Sequence, residues 1–87
     1  MNNNTILVEE DKLITKEITV KEITNAIIDG NTIYYITDEL NNKYYTSIKV
    51  SNNLPFIKQN DKLIIMYANE NDITEITKIK WNLNYYK

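Results

Sequence analysis

The stretch TIYYITDELNNKYYTSIKV, residues 32–50, decides how the rest of the chain is read. Its flanks, Thr32-Ile33-Tyr34-Tyr35-Ile36-Thr37 and Tyr44-Tyr45-Thr46-Ser47-Ile48-Lys49-Val50, are dense in β-branched and aromatic residues. Such residues suit a pleated, half-buried surface, so both runs are expected as strands. Between them Asp38-Glu39-Leu40-Asn41-Asn42-Lys43 carries turn chemistry, because Asn tolerates the positive φ that tight hairpins require. Register decides which tyrosines reach the surface, since a slip of one residue sends every side chain to the other face. A two-residue loop at Asn41-Asn42 sets Ile36 opposite Ser47 and turns Tyr34, Ile36, Tyr45 and Lys49 outward. An odd-numbered loop sets Ile36 opposite Ile48 and turns Ile33, Tyr35, Tyr45 and Lys49 outward. Tyr45 and Lys49 face out in both.

Upstream, Asp29-Gly30-Asn31 holds the only glycine of the chain and marks a second turn. In residues 13–28, Ile14, Ile18 and Val20 share one parity while Ile23 and Ile27 share the other, so a long strand here needs a bulge near Lys21-Glu22. The rival is a helix over residues 20–29, with Thr19 and Glu22 as a capping box and Gly30 as its C-cap. Thr, Val and Ile at most positions favour the strand. Residues 1–12 read as a flexible acidic arm, with a short strand at Thr5-Ile6-Leu7-Val8.

Downstream, Pro55 forbids a regular ladder position, making residues 51–61 a connection whose Leu54, Phe56 and Ile57 plug one end of the core. Lys62-Leu63-Ile64-Ile65-Met66-Tyr67-Ala68 follows as a strand buried on both faces. After the polar loop at residues 69–72, residues 73–83 form the last strand, with a phase change between Ile76 and Ile79. Residues 84–87 are a C-terminal tail.

The chain of 87 residues has a size that buries about 60 to 65% of its unfolded surface, enough for a single domain with one modest core at residues 13–83. It contains neither cysteine nor histidine. That excludes disulfides, Ser-His and Cys-His nucleophiles and ordinary zinc sites. One glycine excludes a Gly-rich phosphate loop. No apolar run approaches the roughly 20 residues that span a bilayer, and the N-terminus lacks the pattern of a signal peptide, so a soluble, cytoplasmic protein is expected. Ten basic residues, all lysine, stand against twelve acidic ones for a net charge of -2. Absent arginine weakens a nucleic-acid reading, although abundant Asn, Ile, Lys and Tyr also suit an AT-rich bacterial, phage or mobile-element genome.

This order of elements, a long bent strand, a hairpin, an irregular link and a closing hairpin, resembles that of the five-stranded OB-fold barrel over residues 14–83. Asn60-Asp61-Lys62-Leu63-Ile64-Ile65 is similar to the Gly-Asp-x-Val-x-Val entry of small barrels, with Asn replacing Gly. The link shows no helix, which leaves an SH3-like barrel as a close competitor. The resemblance implies a ligand face on strands two and three, flanked by the loops at residues 29–31 and 69–72.

The candidate contact residues are Tyr34, Tyr35, Tyr45, Lys43, Lys49, Trp81 and Tyr85, with Trp81 read either as a core plug or as an interface residue. A tyrosine-rich patch with few charges fits a protein-binding surface. Stacking of single-stranded bases is the alternative, disfavoured because only Lys43 and Lys49 accompany the tyrosines. Asp38-Glu39 and Glu70 with Asp72 read as solvated turns, not metal ligands. The expected protein is an all-β, non-enzymatic interaction module without cofactor. A phage or mobile-element accessory protein that inhibits a host protein is a fitting setting. Homo-oligomers through edge-strand pairing are a third option.

Overall fold

The computed structural model describes residues 12–81. The expected arm apart from Lys12, the end of the expected last strand at residues 82–83 and the tail with Tyr85 lie outside the described residues. Among the described residues the chain is all-β, and six strands form one curled, open half-barrel sheet in the order β5-β3-β2-β1-β4-β6.

β1 (Ile14–Ile28) is a single strand of 15 residues, in which runs of β-branched side chains disfavour a helix at residues 20–29. Its C-terminal half pairs with β2 (Asn31–Asp38), and the register shifts between Val20↔Asp38 and Glu22↔Thr37, leaving Lys21 as the extra residue of a bulge. The N-terminal half pairs with β4 (Lys62–Tyr67), from Ile14↔Tyr67 to Thr19↔Lys62. The bulge flips the inward parity from Ile18 and Val20 to Ile23. Val20 is where β1 changes partner, and both of its edges are tied there. Glu39 N–H donates to Thr19 O at 3.1 Å on one side. On the other, Val20 N–H donates to Asp61 O at 2.9 Å and Asn60 N–H to Val20 O at 2.7 Å.

The two hairpin turns differ in chemistry. Between β1 and β2, Asp29 at φ 53 and Gly30 at φ 79 have the positive pair of dihedrals that a type I′ turn demands. Between β2 and β3 (Lys43–Ser47), the pairs are Ile36↔Tyr44, Tyr35↔Tyr45 and Tyr34↔Thr46, so neither expected register is adopted. The loop is Glu39-Leu40-Asn41, closed by Asn41 N–H to Asp38 O at 2.9 Å and by Asp38 N–H to Asn42 O at 3.0 Å. Asp38 is the cause. Its carboxylate accepts from Leu40 N–H and Asn42 N–H, both at 2.9 Å, from Asn42 Nδ2 at 3.1 Å and from the Tyr44 hydroxyl at 2.8 Å. It is 2% exposed, so the expected solvated turn at Asp38-Glu39 is corrected for Asp38. The odd loop length places Tyr34 and Ile36 inside and Tyr35 outside.

β3 ends earlier than expected. Ser47 Oγ accepts from Lys49 N–H at 3.2 Å and turns Ile48–Val50 into a 3₁₀ turn. A second 3₁₀ turn, Leu54–Phe56, follows. Because side chains three apart lie on one side of such a turn, Leu54 and Ile57 both enter the core. Phe56 does not; at 71% exposure it corrects the expected core plug.

The expected single last strand is two strands, β5 (Ile73–Glu75) and β6 (Lys78–Trp81). β5 pairs parallel with β3 and β6 antiparallel with β4, at opposite edges of the sheet. Ile76 and Thr77 bridge them: Ile76 N–H donates to Tyr45 O at 2.9 Å and Thr77 N–H to Met66 O at 2.8 Å. The core inside the curl includes Ile18, Val20, Tyr34, Ile36, Tyr44, Leu54, Leu63, Ile65 and Ile76. The buried polar side chains Thr46 and Thr74 are satisfied, donating to Ile76 O at 3.0 Å and Asn71 O at 3.2 Å. No helix among the described residues is long and apolar enough to cross a membrane.

Candidate functional site

Alternation along the strands assigns the outer face once the inner one is known. With Tyr34, Ile36, Tyr44, Thr46 and Thr74 buried, the outer face of β1, β2, β3 and β5 is read directly from the register. One row across it runs Thr24–Tyr35–Tyr45–Glu75. The next runs Glu22–Thr37–Lys43–Ile73, and a third, shorter one runs Ala26–Ile33–Ser47. Tyr35 and Tyr45 are therefore direct cross-strand neighbours, a geometry in which Cβ atoms stand about 5 Å apart. Tyr35 is 36% exposed and Tyr45 half-buried.

A shallow groove of about 220 Å³ crosses these rows. Glu22, Thr24, Tyr35, Thr37, Lys43 and Ile73 line it, with Ile36 and Tyr44 beneath. Beside it a second, polar depression of about 290 Å³ brings the turn residues Asn41 and Asn42 against Glu70, Asn71 and Asp72 of the loop before β5. The carboxylates of Glu22 and Glu75 thus share these rows with the tyrosine pair and with Lys43, and Glu70 and Asp72 lie beside Lys43 in the neighbouring depression. Lys21, at the bulge, is held by Asn41, donating from Nζ to Oδ1 at 2.8 Å.

Under this face the Asp38–Tyr44 pair fixes the hairpin. Burial alone would raise the Asp38 carboxyl, but the hydrogen bonds from Tyr44, Asn42 and Leu40 outweigh it and hold the group below the ordinary aspartate value. Burial, and then the Asp38 charge, push the Tyr44 hydroxyl far above the ordinary tyrosine value, so it stays a proton donor. The Lys16 ammonium lies 5.9 Å from the centroid of the Tyr44 ring. These groups are internal supports.

Of the residues expected at the surface site, Tyr35, Tyr45 and Lys43 come together on one face. Tyr34, at 8% exposure, belongs to the core, which corrects its candidacy for partner contact. Lys49 is exposed but sits on the 3₁₀ turn beyond β3. Trp81, half-buried and paired with Leu63, packs against the core. Glu22, Thr24, Thr37, Ile73 and Glu75 join the face without having been singled out. The alternation Ile73-Thr74-Glu75 signals two outward side chains, but nothing local announces that β5 lies parallel to β3.

The outer side of the other half of the sheet, on β1, β4 and β6, differs in charge. Its rows are Thr19–Lys62, Glu17–Ile64–Lys80 and Thr15–Met66–Lys78. Lysines dominate there, and Lys62 Nζ donates to Thr19 Oγ1 at 2.8 Å.

No family model, no curated protein and no solved structure matches the chain. The functional reading therefore rests on this geometry.

Proposed function

We propose that this chain is a non-enzymatic protein-interaction module that docks through the outer face of β1, β2, β3 and β5. The observation that carries the proposal is the Tyr35–Tyr45 pair, set directly across two strands at the side of a shallow groove. Two rigid aromatic side chains on a sheet face supply contact area at low entropic cost, the usual anchor of a protein interface. The rigidity of the hairpin beneath them favours binding without rearrangement. An accessory or inhibitory role, in which the face occludes part of a larger protein, is the setting in which we place it.

We further infer that the half-barrel is OB-like. β1, β2 and β3 form a meander and β4 returns beside β1, which is a Greek-key order. In this reading β5 and β6 are the two halves of one closing strand, and an OB barrel is a partly open five-stranded Greek key. The ligand face usual for that architecture lies on strands two and three. Its common nucleic-acid use fits poorly with carboxylates at Glu22, Glu70, Asp72 and Glu75, since single-strand binding draws most of its affinity from phosphate neutralisation.

The test is affinity capture from the source cells with the wild-type chain and the Tyr35→Ala/Tyr45→Ala variant side by side. The variant should lose the partner while its circular dichroism stays that of the wild type; a partner retained by the folded variant removes this face from the proposal. Trp81 is unsuited to the test because it packs on the core.

A further inference from the structure

We propose that the partner presents a lysine- or arginine-bearing segment to the Tyr35–Tyr45 face. The inference rests on the interaction-face reading above and adds the chemistry of the occupant. Two features of the face specify it. The first is aromatic: Tyr35 and Tyr45 stand directly across β2 and β3 from one another, and phenol rings attract a cation to their faces through the ring quadrupole. The second is charge. Glu75 stands directly beside Tyr45, and Glu22 lies one row away on the far side of Tyr35. Glu70 and Asp72 extend the same sign past Lys43. The carboxylates of Glu22 and Glu75 make no ion pair among the described residues, so the fold does not consume their charge.

This segregation is not a property of the chain as a whole. Residues 12–81 hold nine lysines and nine carboxylates, yet the lysine-rich rows of β4 and β6 lie on the other half of the sheet. An acidic partner meets repulsion at the tyrosine face, and a basic one is steered to it and then held over the rings.

The experiment uses isotope-labelled full-length protein titrated with a synthetic peptide alternating arginine and serine. A matched glutamate–serine peptide and a single-stranded oligonucleotide serve as the other probes. The arginine peptide is expected to shift the amides around Tyr35, Tyr45 and Glu75, with affinity falling as salt is raised. Glu22→Gln with Glu75→Gln should weaken it roughly tenfold, the loss expected when two flanking charges each contribute under 1 kcal/mol. Asp29→Asn, at the far hairpin turn, should leave it within about twofold. Shifts that map off this face, equal binding by the glutamine variant, or tighter binding of the acidic peptide or oligonucleotide overturn the proposal. So does salt-sensitive dimerisation in light scattering that the glutamine variant abolishes, because the occupant is then a second copy. If the peptide arms fail while Tyr35→Ala/Tyr45→Ala still loses the natural partner, the interaction face stands and its basic partner chemistry falls.

Discussion

The turns at Asp38 and Asp61 solve one problem in two ways. Each buries a carboxylate beside Val20, at 2% and 3% exposure, and each has an asparagine in the left-handed region nearby, Asn41 at φ 68 and Asn60 at φ 76. Asp38 is satisfied from within by two backbone amides, a side-chain amide and the buried Tyr44 hydroxyl. Asp61 takes Lys58 N–H at 2.9 Å and pairs with the Lys58 ammonium at 3.1 Å, whose side chain is 75% exposed. Neutral dipoles inside the fold answer the first charge, whereas a solvated cation shares the second with a backbone amide. The first arrangement therefore specifies structure, and the second mostly tolerates a charge.

The largest test of this contrast is Asp38→Ala. It orphans the buried Tyr44 hydroxyl and the turn amides together, and should cost about 3 kcal/mol in urea unfolding. Its pH counterpart follows from linkage. The folded Asp38 carboxyl lies below its ordinary value, so its contribution is fully present above the unfolded value and is lost as pH falls through the folded one. Asp38→Asn should flatten the acid limb of the stability–pH curve, and an unchanged limb in the variant would remove Asp38 as its source. Tyr44→Phe leaves three donors on Asp38 and should cost about 1 kcal/mol. Lys58→Met is the smallest, within about 0.5 kcal/mol, because the exposed end of the pair is already solvated and screened. A Lys58→Met loss equal to that of Asp38→Ala would erase the distinction between the two turns.

The same contrast explains what could be read from the sequence. Phase changes in the apolar pattern pointed to the bulge at Lys21 and marked an irregularity between Ile76 and Ile79, though not the division there into two strands, because alternation is a local property of the chain. The Asp29-Gly30 turn was legible for the same reason. The register of β2 against β3 was not, since it depends on where a carboxylate gathers its donors. Asp38 draws the turn back onto Glu39-Leu40-Asn41, whereas turn propensity favours Asn41-Asn42. At the candidate face, the outward position of Tyr45 was legible in either register. The carboxylates beside it were not, because Glu22 and Glu75 come from strands brought together only by pairing across the sheet.

The joint at Ile76–Thr77 has a consequence for how the chain folds. The β1–β2 and β2–β3 hairpins and the contact of Thr77 with Met66, 11 residues away, are local and pay little loop-closure entropy. Thr46 meets Ile76 across 30 residues and Thr19 meets Lys62 across 43. Two local pieces, the three-stranded meander and the β4–β6 pair, therefore become one cooperative unit only when β1 finds β4 and this dipeptide reaches both edges. Closure is the slow, non-local step, and the tyrosine face is completed in that step, because Glu75 arrives with the strand that closes it.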